Sequence, residues 1–126
     1  MYNSCPYVVL VEGEPDVMIT SQMGINCVTQ TEGASSWDST FNRYFRGKIV
    51  YILYDNDIAG IKGAEKAAYE LWKSKVSVYM AKWPDFMKEK EDHTDYFVKY
   101  RQSTDDYWKI LKNSISVILY FSNKGK

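Results

Sequence analysis

Two short apolar runs set the terms for how this chain can fold. Tyr7–Val11 (YVVLV) and Lys48–Tyr54 (KIVYILY) are dense in β-branched and aromatic residues, too short for a helix and too apolar for a strand with one wet face. A run of that kind has to be covered on both sides, as inside a parallel sheet flanked by helices. Each run also stops abruptly on acid: Glu12-Gly13-Glu14-Pro15 follows the first and Asp55-Asn56-Asp57 the second.

The remaining pattern fits the same architecture. Asp16 opens a helical stretch to about Met23, with Gly24 as its stop. Ile25–Thr29 reads as a second short strand, 31–39 as a Gly/Ser/Thr loop and Phe41–Tyr44 as a short helix. After a turn at Gly60, Ile61–Ser74 is expected as a helix, with Ile61, Ala64, Ala68, Leu71 and Trp72 on one face. Val76–Met80 is a strand, and a charged loop runs from Trp83-Pro84 to Asp92. Asp95–Tyr100 and Thr104–Leu111 are helices, and Ile115–Phe121 is the last strand. Strands alternating with helices give an α/β fold with a central, mostly parallel sheet. The chain's 126 residues make one domain. In such sheets chemistry gathers at the carboxyl ends of the strands, where Glu12 and the Asp55/Asp57 pair sit.

Charge narrows the function. Lys+Arg and Asp+Glu are 16 each, so there is no bulk attraction to nucleic acid or to membrane surfaces. A polyanion would have to be held by a local patch or a bound cation. Cys5 and Cys27 lie in no metal-ligand spacing, and His93 has no His or Cys partner, which argues against zinc. Cys27 reads as a small core residue, and Trp72, Trp83 and Trp108 as packing. No apolar stretch reaches the roughly 20 residues of a membrane span, and no secretory signal is visible, so a cytoplasmic protein is expected.

On extended backbone, alternate side chains point the same way, so Asp55 and Asp57 can converge on one point. Like charges brought together call for a hard divalent cation. The competing reading is a turn, since Asp-Asn-Asp before Gly60 is also good loop and N-cap chemistry. Gly13 lets a substrate approach the backbone. Glu14 suits the start of a helix, and Asp16 is placed to hydrogen-bond a metal-site group.

These residues resemble the Toprim domain, a Rossmann-like fold shared by topoisomerases, bacterial-type primases, small nucleases and recombination proteins. VEGEPDV (11–17) is similar to its first motif, and LYDNDIAGIKGAEKA (53–67) to the D-x-D motif of primase-type members. GINCVTQTEGASSW (24–37), with Gly33, resembles the loop that primases place over the site, and EDHTDYF (91–97) resembles the third acidic segment. The resemblance spans about 7–100, with the helix and strand over 104–121 extending it. It implies Glu12 as general acid or base, and Mg²⁺ (or Mn²⁺) held by Asp55, Asp57 and Asp92. Asp95 is a second candidate for the third acid, because Glu91 stands where the family commonly has Lys. Gly13, Asp16, Gly33 and Gly60 would support the site.

Lys62 and Lys66 could touch a nucleic-acid backbone or simply form a solvated helix face. Arg43, Arg46 and Lys48, interleaved with Tyr44 and Phe45, are the densest basic group and could hold a nucleic-acid strand by charge plus stacking, or simply form a basic turn between helix and strand. The expected function is Mg²⁺-dependent nucleotidyl transfer in a DNA primase-like protein of phage or mobile-element origin. Its partners would be DNA or RNA, a nucleoside triphosphate, and other primase or helicase domains. The piece alone would make primers poorly or not at all. The alternatives are a small Toprim nuclease, and a non-catalytic nucleic-acid-binding module that kept the fold.

Overall fold

A computed structural model of the chain describes residues 6–29 and 42–124. Among the described residues five strands form one sheet: β1 (Tyr7–Val11), β2 (Cys27–Thr29), β3 (Ile49–Ile52), β4 (Ser77–Met80) and β5 (Ile115–Ser116), in the order β2-β1-β3-β4-β5. The first four are mutually parallel, and β5 runs antiparallel to β4 at the edge. The helices are α1 (Glu14–Gln22), α2 (Asn42–Phe45), α3 (Ile58–Lys73), α4 (Thr104–Lys112) and α5 (Val117–Lys124), with a π-helical turn at Asp95–Lys99.

Both expected buried runs are central strands, and their alternation divides the core in two. Val8, Val50 and Val78 pair across β1, β3 and β4, as do Leu10, Ile52 and Met80. These rows face Ala64, Ala67, Ala68 and Leu71 of α3, joined by Phe45 and Val117. The small alanines let α3 lie close to the sheet. Val9 and Val11 point the other way, onto Cys27, Tyr96, Phe97, Tyr107 and Leu111. Cys27 is a buried free thiol, as its setting in the sequence implied.

Gly24 terminates α1 with φ of +81°, a left-handed conformation that glycine adopts without strain. Helix α3 starts three residues before the expected Ile61, because Asp57 caps it: its Oδ1 accepts from the Gly60 N–H at 2.6 Å. Gly60 is therefore inside the first turn of α3 rather than in a preceding turn. A Cβ there would stand 2.2 Å from the carbonyl oxygen of Asp55.

Three expectations are corrected. Ile115–Phe121 is not one strand: β5 covers Ile115–Ser116 only, and α5 follows. Val117, Tyr120 and Phe121 pack on the core at helical spacing, while Ile118 and Leu119 face solvent. A short apolar run does not distinguish strand from helix by hydrophobicity alone. Ile61 and Trp72 do not share the buried face of α3; each is nearly half exposed. Phe45, read as a stacking residue for nucleic acid, is wholly buried in the core. Trp83 is buried, and Trp108 packs edge-on against Tyr7 with ring centroids 5.0 Å apart.

Candidate metal centre at the carboxyl edge of the sheet

β1 and β3 are neighbours, so their carboxyl tips deliver Glu12 and Asp55 side by side. The Asp55 N–H donates to Glu12 Oε1 at 3.0 Å, which fixes the Glu12 carboxylate against the start of the next loop. Asp16, in the first turn of α1, is buried and turned back toward the same point. The third acid comes from far along the chain, and Asn56 brings it in. Its N–H donates to the Glu91 carbonyl at 3.0 Å, its own carbonyl accepts from the Lys90 N–H at 2.7 Å, and its Nδ2 donates to the Lys88 carbonyl at 3.0 Å. Asp92 follows directly.

The outcome is a trio, Asp16, Asp55 and Asp92, with one carboxylate oxygen of each within 4.8 Å of the others. Electrostatics shows the tension in this arrangement. Burial, and then the charges of Glu12, Asp16, Asp92 and Asp57, push the Asp55 carboxyl up to about 7. Burial followed by the charge of Asp92 raises Asp16 to about 6, and burial likewise raises Asp92. Oδ1 of Asp16 and Oδ1 of Asp55 are buried and have no hydrogen-bond partner. Orphaned carboxylate oxygens in a cluster of like charge match the oxygen-donor set of a hard divalent cation such as Mg²⁺. A cleft of about 250 Å³ opens beside Asp55, lined also by Asn56, Gly60, Ile61 and Lys82.

A family comparison decides what this edge belongs to. The Toprim-like family matches residues 9–97, which contain every residue of the trio. The chain is a Toprim domain. Among solved structures it is similar to the Aquifex aeolicus primase (zinc-binding and RNA polymerase domains), with 27% identity and a TM-score of 0.74 over 91% of this chain. It is also similar in fold to a chain of the bacteriophage T7 complex of lagging-strand DNA polymerase with the primase domains of two gp4 subunits, bound to an RNA/DNA hybrid and dTTP. That match has 23% identity and a TM-score of 0.64 over 87% of this chain. The Toprim domain corresponds to 27% and 55% of the lengths of those two chains. No curated protein matches it. Among the described residues, no helix is long and apolar enough to cross a membrane.

The Toprim frame shows where each sequence candidate lies. Glu12, Asp55 and Asp92 meet at one edge. Asp57 uses Oδ1 as the cap of α3 and stands outside the trio, while Asp16, expected only as a supporting residue, is inside it. Asp95 turns back on the chain: its Oδ2 accepts from the Asp92 N–H at 3.0 Å and its N–H donates to Asp92 Oδ1 at 3.1 Å. Gly13 is the N-cap of α1 beneath Asp16, and Gly60 packs under Asp55. Lys62 and Lys66 lie on the exposed face of α3. Arg46 is exposed in the turn entering β3, at the amino end of the sheet and so opposite the acids. Lys48 there lies over the Tyr44 ring, 5.0 Å from its centroid. Gly33 and the Arg43 side chain fall outside the described residues.

Sequence reasoning missed two contributors. Glu91, noted only as standing where the family commonly has Lys, is buried and accepts from Lys99 Nζ at 2.5 Å, the Tyr100 hydroxyl at 2.7 Å and the Lys88 N–H at 2.6 Å. Those bonds hold its carboxyl down to about 2, so it locks the loop that delivers Asp92. His93 is the other: wholly buried, held neutral by burial that lowers it to about 3, and only 3.7 Å from Asp16. Its position next to Asp92 was the available signal.

Proposed function

We propose that this Toprim domain performs Mg²⁺-dependent nucleotidyl or phosphoryl transfer on nucleic acid, as the catalytic domain of a DNA primase-like protein. The observation that supports it best is the pair of orphaned, buried carboxylate oxygens on Asp16 and Asp55 inside a three-acid cluster, of which Asp55 also lines a cleft. Asp16, Asp55 and Asp92 would hold the ion, with Asp57 within electrostatic reach. Mg²⁺, or Mn²⁺ in its place, stabilises charge on phosphate oxygens as it develops. In a protein of zero net charge, that cation also supplies the attraction for a polyanion that the surface lacks.

Glu12 is the proton-transfer group. One oxygen is engaged by the Asp55 N–H, which orients the carboxylate and leaves the other oxygen to take or give a proton at the reacting hydroxyl. Lys82, on the rim of the cleft, is placed to meet a phosphate. Because the domain corresponds to a fraction of each matched chain, template binding and primer length would depend on further primase or helicase domains.

The test is binding of a fluorescent nucleoside triphosphate with and without Mg²⁺. Binding is expected to require the ion, to be lost in Asp55→Asn, and to survive in Glu12→Gln. Template-directed dinucleotide formation by the domain, abolished by Glu12→Gln, would place the chemistry here. Binding that ignores both Mg²⁺ and Asp55 would overturn the proposal, and hydrolysis of RNA or DNA without any transfer would move it to the nuclease class.

A further inference from the structure

Below the acidic trio lies a polar relay that the proposed chemistry does not use. His93 is wholly buried, and its Nε2 is 2.8 Å from the hydroxyl of Tyr107, itself wholly buried on α4. Its Nδ1 is 3.7 Å from Asp16 Oδ1, and neither atom has a hydrogen-bond partner. Trp83 packs edge-on against the imidazole at 4.7 Å between centroids, which fixes the plane of the ring. The backbone N–H groups of His93 and Gly13 also hydrogen-bond to Asp16.

Two orphaned polar atoms facing each other in a dry site are costly unless one carries a proton for the other. A hydroxyl can donate or accept, so Tyr107 can satisfy either tautomer of the ring. A charged Asp16 can accept only, so it selects the tautomer with hydrogen on Nδ1. Tyr107 then donates to Nε2. The opposite tautomer would aim a lone pair at a carboxylate.

We infer that His93 is the positioning residue of the cation site: anchored by Tyr107 through Nε2, it donates from Nδ1 to Asp16 and holds that carboxylate toward Asp55 and Asp92. This rests on the metal reading above. A gap of 3.7 Å exceeds a hydrogen bond, so the proposed bond requires the ring and the carboxylate to close that gap when a cation is bound. Outer partners of metal-binding groups commonly change affinity about 10–100-fold when removed.

The chain has one histidine, so its imidazole nitrogens need no assignment. Two-bond ¹H–¹⁵N correlation spectra of the wild-type domain, recorded through a Mg²⁺ titration, are expected to show a protonated Nδ1 and a bare Nε2 at saturation. A protonated Nε2 with bare Nδ1 would overturn the inference without any variant being made. Mn²⁺ affinity, read by electron paramagnetic resonance on folded variants, gives the second arm. His93→Asn keeps an amide N–H near the Nδ1 position, whereas His93→Gln places its amide near Nε2. His93→Gln is expected to lose roughly 10-fold or more in affinity, with His93→Asn recovering most of it. Equal affinity in wild type and His93→Gln would defeat this inference and leave the metal site standing. Absence of Mn²⁺ binding in the wild type would defeat both.

Discussion

The replacement Asp55→Asn should make the metal-free protein more stable while removing its response to the cation. The Asp55 carboxyl is raised from 3.8 to about 7, first by burial and then by the surrounding acids. The folded state thus holds this proton more tightly than the unfolded chain, so stability falls as pH rises from about 4 to about 7 and stays reduced above that. Each pKa unit is worth about 1.36 kcal/mol, which gives roughly 4 kcal/mol for a fully buried group. Asp55 is only half-buried, and solvent screening reduces this to roughly 1–2 kcal/mol. For a domain of this size that is an increase in Tm of roughly 4–8 °C at about pH 8 in chelator, vanishing near pH 4. Saturating Mg²⁺ reverses the order, since a ligand at about 100 times its Kd stabilises the wild type by roughly 2.7 kcal/mol and has no site in the variant. Thermal melts by circular dichroism at both pH values, with chelator and with Mg²⁺, read all of this. A variant no more stable than wild type at about pH 8, or a gain that persists undiminished near pH 4, would refute the reasoning.

Other consequences follow from single contacts. Gly60→Ala drives a Cβ to 2.2 Å from the Asp55 carbonyl, so α3 and the acid must shift; the expected loss, read by urea unfolding, is about 1–3 kcal/mol, with weakened Mn²⁺ binding. Trp83→Phe removes the Nε1–H that donates to the Tyr54 carbonyl at 2.7 Å in a buried setting; chemical denaturation should show a loss of about 1–3 kcal/mol. Glu91→Gln weakens the clamp of Lys99, Tyr100 and the Lys88 N–H. Because that carboxyl is held down to about 2, its contribution is full above the unfolded value near 4.5 and disappears as pH falls toward 2, so wild type and variant should converge in acid melts.

Much of this was legible because strong signals are local. YVVLV and KIVYILY could be satisfied only as central strands, and the acids at their tips had to share an edge once β1 and β3 paired. What stayed hidden depended on tertiary contact. The D-x-D spacing put Asp57 with Asp55, but the free amides at the start of α3 claim its Oδ1. Asp16 looks like an ordinary first-turn helix acid until the fold buries it. Asn56 looks like turn filler, yet its hydrogen bonds to Met87, Lys88, Lys90 and Glu91 tie the third motif to the site. The final helix was misread because SISVILYF satisfies strand propensity, while the positions that pack are Val117, Tyr120 and Phe121.

The most direct measurement is an anomalous difference map from a crystal soaked in Mn²⁺. One peak is predicted within coordination distance of Asp16, Asp55 and Asp92, near the Glu12 carboxylate, and absent in Asp55→Asn. Manganese found elsewhere, or a map empty at the carboxyl edge with the three acids ordered, would contradict the account.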